Sequence, residues 1–278
     1  MSLWKRTAVT AVSALTVFAV SACDVASGSS ETPKQPSALE LLTSDPKGAL
    51  QKTAEVTDRA DSVTLMMLGT AGDEKISMQG VLDPGDPVKA EMTMANSRGT
   101  MNTVRMIGAV FYVEMPAESR ASMGGKRWLR LDPTTDGDQA GLDLTRQFDD
   151  VDPTRQVKRL LATEGTRVVG QETVNGVVAV HYTVTTPVAT YLGQLDAKLR
   201  AGVKKQMTTG GVREVTVDLW VDEQYRPRRA GLDMGAYGHL VTDYTDYGDA
   251  VPVETPPLAE IADLAELPKG IKGLTTGS

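Results

Sequence analysis

The sequence predicts an α+β domain: a single antiparallel, strongly curved sheet of about eleven strands, a half-barrel wrapping three or four helices. Three observations predict it. Short segments with a hydrophobic period of two follow one another, divided by Gly, Pro, Asp and Asn. Helical patterns interrupt these runs at three points, each opened by a residue-proline pair: Asp45-Pro46, Asp152-Pro153 and Thr186-Pro187. Finally, a twisted open sheet rarely exceeds about ten strands without curling or closing. A curl around the helices leaves a space between sheet and helices.

The first helix opens at Ser44-Asp45-Pro46 and runs through KGALQKTAEVTDRA, with Ala49, Leu50, Ala54 and Val56 among its apolar positions. The aspartate caps free N–H groups, and proline has none to leave unpaired. Six strands follow: VTLMMLG, KISMQGVLD, VKAEMTMAN, NTVRMIG, AVFYVEM and KRWLRLD. Asp152-Pro153 opens a second helix, TRQVKRLLA, in which Val157, Leu160 and Leu161 share a face. TRVVGQETVNG and VVAVHYTVT flank Asn175-Gly176, the strongest hairpin signal in the chain. The third helix is VATYLGQLDAKLRAGV, where Val188, Tyr191, Leu192, Leu195 and Leu199 recur at helical spacing. REVTVDLWVDE, RRAGLDMGA and HLVTDYTDYG complete the sheet, Pro252, Pro256 and Pro257 end it, and LAEIADLAEL is expected to form a last short helix.

The N-terminus reads as an address. Lys5 and Arg6 precede an uncharged run, Thr7 to Ala22. The run is shorter than the roughly 20 apolar residues of a membrane-spanning helix. Basic start, short apolar core and small residues at its end describe a signal peptide. It closes on Val20-Ser21-Ala22-Cys23, which resembles the lipobox of bacterial lipoproteins. That resemblance implies a diacylglyceryl group on Cys23 and cleavage just before it. It also accounts for a single cysteine, since an exported free thiol is a liability and a thioether cannot form a disulfide. Two acyl chains anchor stably where one does not. The expected organisation is a signal peptide at 1–22, a lipidated Cys23 and flexible tether at 23–37, a folded domain at 38–267 and a flexible tail at 268–278. A tether of about 14 residues spans some 20 Å. The expected location is the extracytoplasmic face of the cell membrane.

Composition narrows the function. Hydrophobic residues make up 41% and charged residues 23%, as a packed core requires. The net charge is -7, and -9 without Lys5 and Arg6. Such a surface argues against nucleic acid and against electrostatic docking on anionic lipid. Aromatics at 5% leave the core to aliphatic residues and methionine.

Catalytic constellations are missing. The chain carries no second cysteine, no G-x-S-x-G and no H-E-x-x-H. His181 falls on the strand phase opposite Val178, Val180, Tyr182 and Val184, so it is expected to face solvent, and with His239 it makes no metal pair. Ser44 and Lys47 fit S-x-x-K without the partner motifs. Asp149, Asp150 and Asp152 lack the spacing of a calcium loop, and Asp152 serves as a helix cap. No catalytic residue, metal or cofactor is expected; binding remains.

The lipobox, this order of strands and helices, VDLWVDEQYRPRR and DYTDYGDAVPVETPP together resemble the LppX/LprG lipoproteins of actinobacteria, within the wider LolA/LolB fold. The specific pieces are Trp220-Val221-Asp222 leading to Pro227, and the exit from Tyr247-Gly248 to Pro257. The resemblance implies a half-barrel that holds acyl chains in an apolar cavity and binds or carries lipid or lipoglycan in the cell envelope. Nine of the twelve methionines lie between Met66 and Met123, and Met78, Met92 and Met94 fall on the apolar phase of their strands. Methionine suits surfaces that fit ligands of variable shape. The expected walls are Leu65, Met67, Met78, Met92, Met94, Met106, Val217 and Leu219, with Leu192 and Leu195 from the third helix. Strand period alone does not separate a wall facing packed core from one facing a cavity. The same fold would serve a monomeric lipid carrier or an envelope interaction or stress-sensing module holding a partner peptide.

Overall fold

In the computed structural model, residues 36–59, 62–95, 101–133, 148, 151–195 and 197–264 are described, the side chains of 197–199 and 202 excepted. Cys23 and the Asp149–Asp150 pair lie outside these residues. Five strands form an antiparallel meander: β1 (Val63–Ala71), β2 (Glu74–Asp83), β3 (Lys89–Ala95), β4 (Met101–Ile107) and β5 (Val110–Glu114). β6 (Trp128–Leu131) extends it. A second meander comprises β7 (Arg167–Val174), β8 (Val177–Pro187), β9 (Glu214–Asp222), β10 (Pro227–Asp233) and β11 (Gly238–Thr245). β11 pairs along the whole length of β1, from Thr64 opposite Thr245 to Ala71 opposite Gly238. One curved sheet results, ordered β12-β6-β5-β4-β3-β2-β1-β11-β10-β9-β8-β7, where β12 is Ile261–Asp263.

The sheet therefore has twelve strands, and one pair is not antiparallel. LAEIADLAEL does not open a helix: Leu258–Glu260 is a single 3-10 turn, and Ile261–Asp263 pairs parallel to β6. A short isolated helix is marginal, whereas the bare edge of β6 offers a full set of partners. Arg127 N donates to Glu260 O at 3.0 Å, Lys126 Nζ to Ala259 O at 2.6 Å, and Arg130 Nη1 to Asp263 Oδ2 at 2.8 Å.

The helices follow their caps. In α2 (Pro46–Thr57), Asp45 Oδ1 accepts from Gly48 N; in α4 (Pro153–Ala162), Asp152 Oδ1 accepts from Thr154 N. A helix precedes the expected first one: α1 (Ala38–Ser44) opens on a capping box in which Glu40 reaches back to Ser37 N and Ser37 Oγ accepts from Glu40 N. A short α3 (Ala117–Arg120) joins β5 to β6. The expected third helix is two: α5 (Val188–Gly193) and α6 (Ala197–Thr209). Between them Gln194 N donates to Tyr191 O and Leu195 N to Leu192 O, a tight turn that keeps Tyr191, Leu192 and Leu195 buried while redirecting the chain. At the β7–β8 hairpin, Asn175 (φ 49°) and Gly176 (φ 82°) adopt the left-handed pair that a two-residue turn needs.

Helices α1, α2 and α4 pack inside the curl. Tyr182 Oη on β8 donates to Leu42 O of α1 at 2.6 Å, and Tyr244 Oη on β11 donates to Val151 O at 3.0 Å. Both phenols are buried, and burial raises their pKa values well beyond the ordinary tyrosine range. They are neutral pins between sheet and helix layer.

Candidate binding face inside the sheet

Inward side chains run in rows across the strands. In one row, Met67 lies opposite Met78, which lies opposite Met94. On its other side Met67 faces Thr242, and the row continues through Ala230 and Leu219 to Tyr182. The next row holds Tyr244, Leu65, Gly80, Met92 and Val104. Gly80 is required there: a Cβ would sit 2.3 Å from Glu91 O and 3.0 Å from Met92 Cγ, so Met92 fills the space above the glycine. A third row places Met106 between Ala90 and Phe111.

The expected wall residues divide between two apolar clusters. Leu65, Met78, Met92, Met106 and Leu219 belong to the large cluster, with Met67 and Met94 packed at its margin and only half-buried. Leu192 and Leu195 belong to a second cluster with Met207, Val215 and Met234, under α5 and α6. Val217 touches both. The strand residues thus come together on β1–β4 and β9, and the two helix residues lie apart from them. Tyr182 and Tyr244 were missed as positioning residues. The available signal was a tyrosine on an apolar strand phase, whose buried hydroxyl must find an acceptor.

The outer face has different chemistry. His181 keeps the outward phase expected of it but does not face open solvent, its side chain being 13% exposed. Its Nδ1 lies 2.9 Å from Glu172 Oε1, its Nε2 2.8 Å from Asp218 Oδ1, and its ring stacks on Trp220 at 4.1 Å. Neighbours on the two flanking strands, β7 and β9, cover it. Trp220 Nε1 donates to Glu172 Oε2, and this bond, ahead of the one to His181, lowers the Glu172 pKa. Arg229 holds Asp243 through two hydrogen bonds of 2.6 and 2.9 Å. Partial burial raises the Asp243 pKa, yet Arg229 and a hydrogen bond from Asn175 together outweigh it and the carboxyl ends below its usual range. His239 is exposed. Among the described residues no group of three or more His, Cys, Asp or Glu is arranged to hold a metal, and no helix is long and apolar enough to cross a membrane.

Sheet and helices together define a class, the curved antiparallel half-barrel folded over a helix layer. The solved structure of LppX from Mycobacterium tuberculosis has this fold: it superposes with a TM-score of 0.51 at 16% identity, over 76% of this chain and 100% of LppX. The chain accordingly shares the fold of LppX, an α+β half-barrel with one curved, unclosed sheet. Two Streptomyces proteins are similar in sequence. An uncharacterized 31.2 kDa protein of Streptomyces griseus is 29% identical over 247 residues, 81% of each chain. A Streptomyces coelicolor protein assigned as a lipoprotein is 28% identical over 250 residues, 81% of this chain and 78% of that one. No family model matches the chain.

Proposed function

We propose that this protein is an envelope lipoprotein, anchored through Cys23, that takes lipid or lipoglycan acyl chains against the inner face of its sheet as a carrier or chaperone. The observation that carries the reading is the row Met67, Met78 and Met94: unbranched side chains in register on adjoining strands, two of them half-buried at the margin of the core. An acyl chain is long, flexible and without directional contacts, and methionine adapts to such shapes. Similarity to an assigned lipoprotein and an LppX-type fold add support. Burying a chain from water yields about 0.8 kcal/mol per CH₂. Extraction from a membrane yields far less, because the chain leaves one apolar medium for another. Reversible carriage follows better from this balance than irreversible storage. On this reading the protein works by binding and has no reaction to catalyse.

The test is native mass spectrometry of the protein purified without detergent from an actinobacterial cell. Bound lipid at near one-to-one, lost on Met78→Trp in a folded variant, supports the reading. An empty protein that also fails to extract acyl chains from vesicles overturns it and favours a peptide-holding module. The anchor is tested separately: Cys23→Ala should release the protein from salt-washed membranes.

A further inference from the structure

Away from the methionine rows, the end of α2 meets the β9–β10 turn and the segment leaving β11. A cleft of about 400 Å³ opens there, lined by Lys52, Glu55, Val56, Arg59, Arg226, Tyr247 and Gly248. That volume is at the lower end for small-molecule sites. Its charge is opposite to that of the chain as a whole. Lys52, Arg59 and Arg226 converge on it, and none of the three makes an ion pair with a described residue, whereas Glu55 is the only carboxylate in the lining. Three of the acids close by in the chain are already engaged, while Glu223 is exposed and does not line the cleft. Asp58 holds Lys158 at 3.1 Å; Asp222 takes Arg228 Nε and two backbone N–H groups; Asp246 accepts from Thr245 Oγ1. Asp249 is exposed beside Gly248 without lining the cleft. The C-terminal end of α2 adds about half a negative charge, which leaves the cleft net positive.

Two of the cations are held in place. Lys52 Nζ sits 4.4 Å from the centre of the Tyr225 ring, and the Arg226 guanidinium 5.4 Å from that of Tyr247. Both rings are buried, and Tyr247 Oη is spent on Pro227 O at 2.7 Å, so the cleft presents cations over aromatic faces and no phenol. Tyr225 has φ 58°, a left-handed conformation costly for a bulky residue, and it puts the ring beneath Lys52. Two planar guanidinium forks and an ammonium, with their hydrogens unspent on carboxylates, match a phosphate oxyanion.

We propose that this cleft binds a phosphate group, either as a free phosphate ester or as the headgroup of an anionic phospholipid. The acidic composition argues against broad electrostatic docking on lipid; a local cleft of three cations is a different object, because fields fall off within about 10 Å at ordinary salt. The proposal stands apart from acyl-chain binding, since glycerol phosphate has no acyl chain.

The experiment uses the full chain with Cys23→Ala, which has no thiol to acylate. Calorimetric titration with inorganic phosphate and with glycerol phosphate is run beside flotation on phosphatidylcholine vesicles with and without phosphatidylglycerol. The exposed Lys52→Gln and Arg59→Gln changes, together and singly, are compared with Lys75→Gln on the distant end of β2. Saturable binding that weakens about tenfold in the double variant and not in Lys75→Gln is expected. Loss confined to the soluble phosphates identifies a free ester; loss of the phosphatidylglycerol-dependent flotation identifies a lipid headgroup. No binding to any probe, or binding indifferent to Lys52 and Arg59, overturns the proposal.

Discussion

The inner face of the sheet is made of two materials. On β8, β9 and β11 it presents Tyr182, Val184, Leu219 and Tyr244, stiff or branched side chains, two of them hydrogen-bonded to the helix layer. On β1–β4 the same face presents Met67, Met78, Met92, Met94 and Met106 beside Leu65 and Val104, and the methionines have no polar handle and many rotamers. Branched and ring-bearing side chains hold one arrangement; methionine tolerates several. One half of the curl is therefore a frame for the helices, and the other is suited to a surface that must change shape.

Truncation tests the frame hardest. Leu219→Ala should cost about 2–5 kcal/mol in denaturant unfolding, because Leu219 is 1% exposed and its neighbours are pinned. Met94→Ala, at the half-buried margin, should cost clearly less; equal costs would erase the distinction between the halves. Next in size is Tyr244→Phe, which strips the Val151 carbonyl of its donor inside the core. A loss of about 1–3 kcal/mol is expected, read as a lower denaturation midpoint at unchanged slope. Met67→Leu with Met94→Leu should cost under about 1.5 kcal/mol each and narrow the range of acyl lengths extracted from mixed vesicles. A full loss of stability there would mark those methionines as ordinary core.

The smallest effects are electrostatic and opposite in sign. Burial raises the pKa of Asp152, so its contribution to stability is greatest below its unfolded value of 3.8 and declines as pH rises through the folded value. Asp243, lowered by Arg229 and Asn175 despite partial burial, stabilises above 3.8 and loses that contribution as pH falls through its folded value. Thermal melts across pH 2 to about 7 should therefore show Asp152→Asn preserving or improving stability near neutrality and Asp243→Asn reducing it. Matching pH profiles for the two variants would contradict the assignment.

Much of the frame was legible because it is local. Asp45 and Asp152 capped their helices, Asn175-Gly176 turned its hairpin, and Met78, Met92 and Met94 took the inward phase, each within a few residues of sequence. Ser37 and Glu40 carried an equally local signal, a capping box that announces α1. What could not be read depends on partners far along the chain. Nothing near Ile261 says that the edge of β6, some 130 residues earlier, is open to it. Outward phase assigned His181 a direction, but Asp218 and Trp220 cover it from a different strand. Division of the expected wall between two clusters likewise turns on the tight turn after Gly193, which no periodicity marks.

The order of the strands also has a consequence for how the protein is made. β1 finds its outer partner only in Gly238–Thr245, and β6 only in Ile261–Asp263. Until those last segments emerge, the first six strands are a ribbon with both edges unsatisfied, the arrangement most prone to pair with a neighbouring chain. Closure joins residues about 170 positions apart, and such distant pairing is slow. Nearly the whole polypeptide must therefore be made before the sheet can be finished, and a chain cut short before Gly238 would leave both of those edges bare.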